Sequence, residues 1–583
     1  MEWIKIDAGN ARYVGEFMND FKPGVWNKKI TDTGGSHLIL TNNINYVIVV
    51  PNVDLVKSLI KDGGDNKVFG VYGGIYEQQY INFCKVFGTP KKIVTTWDSL
   101  YKVVNWIKPE EYQICVDEYH LVFESIGFRL KAINKMMGLI NSFKNARFLS
   151  ATPNQEQFEF EVLKNLPHYE IEWNRIEKVS PIMHKSNNVV VSTCMFINKL
   201  LDGELEAPDI NGNITKVKEL YIFLNSVKTI EQICRTLELD SFDVKICCSD
   251  RKRNRYLLNE YPIEEVTSPN KKINFFTSKC FQGCNLYTNN GLVLMVADTI
   301  QPSLMIDMST QGAQIVGRIR NSQTHQNCFR NTVIYIYRTN NKLTPESLQA
   351  TYEENIRKSE DVINDFKNIS SDTTKQILEE AQDKYLYVIE DGEIYISEDK
   401  KNYAKYQNYL RTTYRSDFTI MASFNKDKFN SVLERTWTKW TDETCKSLSK
   451  IKMVTYKDVV TDYFNTKDKE WLDEYPELLD IVNYLTLKEC NSLHFVKDKM
   501  LSRVRDKKQI STIIIKNFKF NTFYTLKEIK EILTEEFKKR DITITPKASI
   551  LEECEYIEVK KEAVRTDKKV NQGYILKPKF RIK

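Results

Sequence analysis

Through the first 340 residues, short β-branched runs end one after another in small polar clusters, with amphipathic stretches between them. Tyr46-Val47-Ile48-Val49-Val50 stops at Pro51, and Lys92-Ile93-Val94 runs into Thr95-Thr96. Gln113 to Val116 leads to Asp117-Glu118, and Ala146 to Leu149 leads to Ser150. Apolar runs without alternation are the mark of strands buried on both faces, as in parallel sheets covered by helices. Val53 to Lys61 and Leu130 to Phe143 have the helical spacing that crossovers need. A second series follows: Glu219 to Leu224, Val244 to Cys248, Lys272 to Phe276, Leu292 to Val296 and Thr332 to Ile336. The pattern predicts two doubly wound α/β domains, residues 1–175 and 176–340, facing across a cleft. Ligands of such open sheets collect at the carboxyl ends of the strands, where the polar clusters fall.

At 583 residues the chain is too long for one hydrophobic core. Its 42% hydrophobic and 28% charged residues place it among globular proteins. No apolar run approaches the ~18 residues of a membrane span, and MEWIKIDAGN lacks a signal-peptide core. A cytoplasmic protein with no membrane partner is expected. Its twelve scattered cysteines fit reduced thiols. Residues 341–500 read as a helical accessory region: Pro345 to Ala381 is polar and periodic, Tyr385 to Ser397 alternates about Glu390-Asp391-Gly392 as a hairpin, and 400–500 are helices rich in Tyr, Trp and Lys.

Residues 501–583 carry 21 Lys and Arg against 12 Asp and Glu, a net of +9, which leaves 63 against 66, a net of −3, for residues 1–500. Basic charge gathered at one end suits an appended nucleic-acid-binding module. Leu526, Ile529, Ile532 and Leu533 share a helical face behind Thr525, Pro546 to Cys554 suggests a short second helix, and Tyr556 to Lys577 alternates as two strands about Thr566-Asp567-Lys568-Lys569. Two helices and a basic hairpin outline a winged-helix-like domain, a fold that also binds proteins.

The chemistry is concentrated at Asp117-Glu118-Tyr119-His120 and Ser150-Ala151-Thr152. A buried strand that delivers two carboxylates to its end offers one to Mg²⁺ and one to the attacking water, as nucleoside triphosphate hydrolysis requires. Gln314-Ile315-Val316-Gly317-Arg318-Ile319-Arg320 supplies guanidinium groups that can stabilise charge developing on a phosphate. In sequence and order these segments resemble motifs II, III and VI of superfamily 2 DExH/DEAD-like helicases. The resemblance implies two tandem RecA-like domains, with Asp117, Glu118, His120, Gln314, Arg318 and Arg320 catalytic and Ser150, Ala151 and Thr152 coupling hydrolysis to movement. By the same resemblance Thr277 to Leu286 stands for motif V, with Thr277 and Ser278 on nucleic acid and Gly283 and Asn285 at the domain interface. Pro51 and Asn52, Thr95 and Thr96, and Asn225-Ser226 stand for motifs Ia, Ib and IV, with backbone contacts to the strand.

The phosphate loop departs from the family form, roughly Thr-Gly-x-Gly-Lys-Thr. Thr31-Asp32-Thr33-Gly34-Gly35-Ser36 keeps Thr31, Gly34 and the Mg²⁺-ligating hydroxyl of Ser36, but has Asp32 at a glycine and Gly35 at the lysine. Sliding by two residues aligns Thr33 and Gly34, and puts His37 at the lysine and Leu38 at the hydroxyl. Neither register supplies the lysine. Lys28 and Lys29 lie just upstream, with nothing in the sequence to say which way they point.

ATP and Mg²⁺ are the implied cofactors, and Ser36 and Asp117 the implied metal ligands. The expected activity is nucleic-acid-dependent ATP hydrolysis that translocates along or unwinds DNA, single-stranded or forked, with RNA left open as substrate. Within the superfamily the chain looks most similar to herpesvirus origin-binding-protein-like replicative helicases of large tailed phages, which implies viral DNA replication in a host cytoplasm and other replication proteins as partners. The competing expectation is a helicase-like origin-binding or replication scaffold whose catalysis has weakened.

Overall fold

The computed structural model describes residues 2–579 apart from 65–66, 175, 367–377, 379–384, 391, 442–443, 445–453, 541, 543, 555–556 and 567–568. The helical expectation over 367–377 and 379–381, the hairpin tip at Asp391, and Tyr556, Asp567 and Lys568 lie outside the described residues. The chain divides into two compact units, residues 1–249 with 258–451, and residues 250–257 with 452–583.

The first unit opens with eight strands: β1 (Trp3–Asp7), β2 (Gly24–Asn27), β3 (Tyr46–Val50), β4 (Val68–Val71), β5 (Lys92–Thr96), β6 (Gln113–Asp117), β7 (Ala146–Ser150) and β8 (His168–Glu172). They form one sheet in the order β1-β8-β2-β7-β6-β3-β5-β4, with every pairing parallel. All five residues of β3 are buried, and each fully buried Val or Ile side chain contributes about 1.5–3 kcal/mol. β2, β7 and β6 are adjacent, so Asn27, Ser150 and Asp117 end side by side.

Further strands are β9 (Ser180–Ser186), the hairpin β10 (Glu206–Pro208) and β11 (Ile214–Lys216), then β12 (Glu219–Phe223), β13 (Val244–Cys247), β14 (Ile273–Phe276), β15 (Gly291–Ala297) and β16 (Thr332–Tyr337). The accessory region adds the hairpin β17 (Tyr387–Glu390) and β18 (Glu393–Ile396) and a single strand, β19 (Glu434–Thr438). The second sheet runs β13-β14-β12-β15-β16-β9-β19, again all parallel. Two parallel sheets flanked by helices give the tandem RecA-like arrangement.

β19 corrects the all-helical expectation for 400–500. Its residues are mostly exposed, so it lacks the apolar run that betrays a buried strand; it is held by pairing with β9 and by the Thr436 hydroxyl against His184 Nδ1 (2.7 Å). The helix Glu398–Thr413 ties the two domains together. Tyr406 packs edge-on against Phe123 and Phe158 of the first domain, and its hydroxyl donates to Asp307 Oδ2 of the second (3.0 Å).

In the second unit, the helices Tyr456–Thr466, Leu478–Tyr484 and Lys497–Asn517 surround buried residues that include Trp471, Leu478 and Met500. Beyond them, the helix Leu526–Lys539 starts at a capping box between Thr525 and Glu528 and buries Ile529, Leu533 and Phe537. Pro546 to Cys554 contains the 3₁₀ segment Ala548–Glu553. A small antiparallel sheet, β20 (Phe523–Thr525), β21 (Ile557–Thr566) and β22 (Lys569–Pro578), follows the order β20-β22-β21. Among the described residues, no helix is long and apolar enough to cross a membrane.

Candidate nucleotide site and nucleic-acid face

The loop after β2 is shaped by three left-handed residues: Lys29 (φ 55°), Asp32 (φ 67°) and Gly34 (φ 72°). The reversal at Lys29 separates the two upstream lysines. Lys29 turns away to Glu170 (Nζ–Oε1 2.7 Å). Lys28 turns inward, is 6% exposed, and donates to Asp117 Oδ1 at 3.3 Å. Ser36 donates its hydroxyl to the other oxygen of the same carboxylate. Burial works against the Lys28 charge, but Asp117 and Glu118 outweigh it and raise its pKa, so the ammonium persists at neutral pH.

One residue beyond β6, Glu118 takes a left-handed φ of 52° that turns its side chain into the cleft. Burial raises its pKa against the pull of Lys28. His120 is fully buried, and burial pushes it down to about 3, so its ring is neutral. Its Nδ1 lies 2.8 Å from Ser150 Oγ, which accepts from the Thr152 amide (2.9 Å). Ala151, between them, is buried. Thr152 Oγ1 accepts from Gln314 Nε2 of the second domain (2.9 Å), and that amide also lies 3.5 Å from Glu118 Oε2. Gln314 Oε1 in turn accepts from Arg318 Nη2 (2.9 Å). A continuous polar chain therefore runs from Glu118, through His120, Ser150, Thr152 and Gln314, to Arg318 across the cleft.

Arg318 is 2% exposed and is fixed further by the carbonyls of Gln314 and Cys284. Arg320 meets Asp32 Oδ1 at 2.5 Å, and its Nε has no hydrogen-bond partner among the described residues. Burial lowers Arg320 to about 10, still charged at neutral pH. Thr31, Gly34, Gly35, Ser36, Asp117, Glu118, Gly283, Asn285, Arg318 and Arg320 line one cavity of about 320 Å³ between the domains. Thr33, 4% exposed, lines it too and ties the loop down through its carbonyl, which accepts from Val14 N (2.8 Å).

These residues fit Mg²⁺-ATP. Ser36 and Asp117 present adjacent hard oxygen donors, which Mg²⁺ prefers, and the cations around them can take phosphate oxygens. Arg320 lines the same cavity, and its buried Nε is without a hydrogen-bond partner among the described residues.

The residues expected on nucleic acid are spent mostly on local structure. Asn52 caps the helix Val53–Asp62 by accepting from Leu55 N, and Ser226 caps Val227–Thr236 by accepting from Thr229 N. Pro51 gives its carbonyl to Arg129 (2.9 Å). Thr95, Thr96 and Thr277 are buried, so their backbone rather than their side chains is what a strand could meet. Ser278 lines an open groove of about 590 Å³ between the domains, together with Asn225, Gln282, Tyr403 and Gln407. Asn225 Oδ1 fixes it by accepting from Ser278 N (3.1 Å).

Two groups at the cleft escaped the sequence reading. Glu124 accepts from Thr310 Oγ1 (3.2 Å) and Gln311 Nε2 (2.9 Å) of the other domain, and burial lifts it to about 7. Lys428, from the accessory region, is 6% exposed; burial, with the charges of Arg318 and Arg320, lowers it to about 7. Only their tertiary surroundings distinguish these two from surface charges.

No family profile matches the sequence, and no curated protein matches it. Its neighbours among solved structures include DEAD-box and DEAH helicases of superfamily 2. The chain is similar to Mss116p, with NTE and C-tail deleted, bound to ssRNA and AMP-PNP: 13% identity, 83% of this chain and 88% of that one, TM-score 0.40. Against S. cerevisiae Dbp5 bound to RNA and ADP BeF3 the values are 9%, 73%, 88% and 0.39. For the Escherichia coli DEAH/RHA helicase HrpB they are 15%, 55%, 41% and 0.34.

Proposed function

We propose that this protein is a nucleic-acid-dependent ATPase that translocates along or opens DNA by closing and opening the cleft between its RecA-like domains. One observation carries this reading: Ser36, Asp117 and Glu118 from one domain and Arg318 and Arg320 from the other converge on a single cavity. Bound Mg²⁺, held by Ser36 and Asp117, would supply neutralisation of the phosphate charge. Glu118, with its raised proton affinity, is placed to orient water and take its proton. Arg318 and Arg320 face the charge that develops as the terminal phosphate leaves. The chain from Ser150 through Thr152 to Gln314 would pass the state of that phosphate to the second domain.

The groove at Ser278 and Asn225 favours a strand read through its backbone. The basic end, with the capped helix Leu526–Lys539 and the hairpin β21–β22, supports a winged-helix-like module that adds sequence-independent affinity. A replicative, origin-binding type of helicase acting on viral DNA is the finer form of this proposal; it rests on the lysine-less loop and that basic end.

Hydrolysis of ATP by the full chain, with and without single-stranded DNA or RNA, tests the reading. Wild type is expected to turn over faster with one of the strands, and Glu118→Gln to lose turnover while retaining nucleotide binding. Equal, slow hydrolysis by both proteins would sink the motor. Salt-sensitive DNA binding with no nucleotide effect would then point to the scaffold, which Asp32 beside the phosphate site favours.

A further inference from the structure

Gly35 stands where the helicase family has its phosphate lysine, and the space its missing side chain leaves is occupied. A Cβ on Gly35 would meet Lys28 Cδ at 3.1 Å and Nζ at 3.8 Å. Lys28 lies seven residues earlier, directly after the last residue of β2. Its backbone is pinned on both sides: its amide donates to Ser150 O (2.7 Å), and its carbonyl accepts from Trp173 Nε1 (2.9 Å).

We infer that Lys28 is the phosphate-binding lysine of this protein, delivered from the strand before the loop into the space that Gly35 vacates. The inference rests on the ATPase reading above. An alternative role, a buried cation that only neutralises Asp117, accounts for less of the geometry. An ammonium has three donors, and among the described residues Asp117 takes the one hydrogen bond that the Lys28 ammonium makes. The remaining donors belong to a side chain in the cavity wall beside the Ser36 hydroxyl, where phosphate oxygens would complete them. The left-handed turn at Lys29 sends the neighbouring lysine to Glu170, so only one of the two is available.

The test compares affinities of the full chain for Mg²⁺-ATP, Mg²⁺-ADP and AMP, together with ATP turnover. Lys28→Met preserves length and packing but removes the charge. It is expected to weaken ATP binding by about 10- to 100-fold, the range for a lost charge-assisted hydrogen bond, and to leave AMP within about twofold because AMP lacks the β- and γ-phosphates. Lys29→Met should match wild type within about twofold. Placing the cation in the family position, in Lys28→Met/Gly35→Lys, should recover part of the ATP affinity. Should Lys28→Met not fold, Lys28→Arg keeps a charge beside Asp117 but is too broad for the space against Gly35, and its preference for ATP over AMP should still fall about tenfold.

Wild-type turnover in Lys28→Met, or in Lys28→Arg an unchanged preference, overturns the role of Lys28 and leaves the ATPase reading standing. Equal losses for ATP and AMP also overturn it, assigning Lys28 to Asp117 alone. A wild-type protein that neither binds nor hydrolyses ATP sinks both.

Discussion

Asp32 puts a carboxylate into the proposed phosphate loop, and its removal by Asp32→Asn should tighten ATP binding. Asparagine tolerates the left-handed backbone that Asp32 adopts (φ 67°), so the substitution isolates the charge. Two unit charges about 5 Å apart repel by ~1 kcal/mol in water and ~3 kcal/mol at an effective dielectric of 20. The Asp32 side chain is 59% exposed, which places the relief near the lower figure. Its pairing with Arg320 is half solvated, so losing it costs the free protein at most ~1 kcal/mol and releases the guanidinium for the terminal phosphate. Both effects have the same sign, and together they predict ATP affinity higher by about 1–2 kcal/mol, or roughly 5- to 30-fold. Titration with Mg²⁺-ATP and Mg²⁺-ADP measures it. The gain should shrink at high salt as the exposed carboxylate is screened. Weaker or unchanged ATP binding by Asp32→Asn would refute the repulsion and make the Asp32–Arg320 pair a strut that the closed cleft needs.

Two further outcomes follow from groups that cross the cleft. Gln314→Ala removes the bonds to Thr152 and to Arg318 Nη2; strand-stimulated turnover should fall about 10- to 100-fold, as two lost hydrogen bonds imply, with ATP affinity changed far less. Undiminished stimulation would break the proposed coupling chain. For Glu124, whose folded pKa of about 7 lies above the ordinary 4.5, the folded chain holds the extra proton between those values, so its contribution to stability falls as pH rises from about 4.5 to 7, by at most ~1.4 kcal/mol per pH unit. Unfolding measured across that range should show a shallower slope in Glu124→Gln, over the background from Glu159, which burial also lifts to about 7; an unaltered slope would rule Glu124 out.

The strands that carry the site were legible because burial on both faces leaves uninterrupted runs such as Tyr46–Val50, and because parallel sheets put chemistry at strand ends. Asp117 and Ser150 were legible for the same reason, whereas Gln314, inside the helix Gln311–Val316, was reached only through the run Gln314 to Arg320. β19 was not: an edge strand with mostly exposed residues has no such run, and its partner β9 lies some 250 positions earlier in sequence. Glu124 and Lys428 are ordinary charged residues in sequence, and the groups that shift them, Thr310 and Gln311 for one and Arg318 and Arg320 for the other, lie more than a hundred positions away.

The missing lysine shows where reading by alignment reaches its limit. A motif assigns a role to a position, but a phosphate responds to a charge at a point in space. At residues 28–36 those two things separate. The left-handed turn at Lys29 decides which lysine enters the cavity, a property of backbone geometry that no residue in the loop announces. Gly35 then reads as a lost function in one dimension and as room for Lys28 in three. By this logic the two positions are interdependent: a Cβ added at Gly35 presses on Lys28 Cδ at 3.1 Å and pushes it aside by a few tenths of an ångström, a contact that eases once residue 28 is shortened. A loop without its lysine is therefore compatible with a site that keeps its cation.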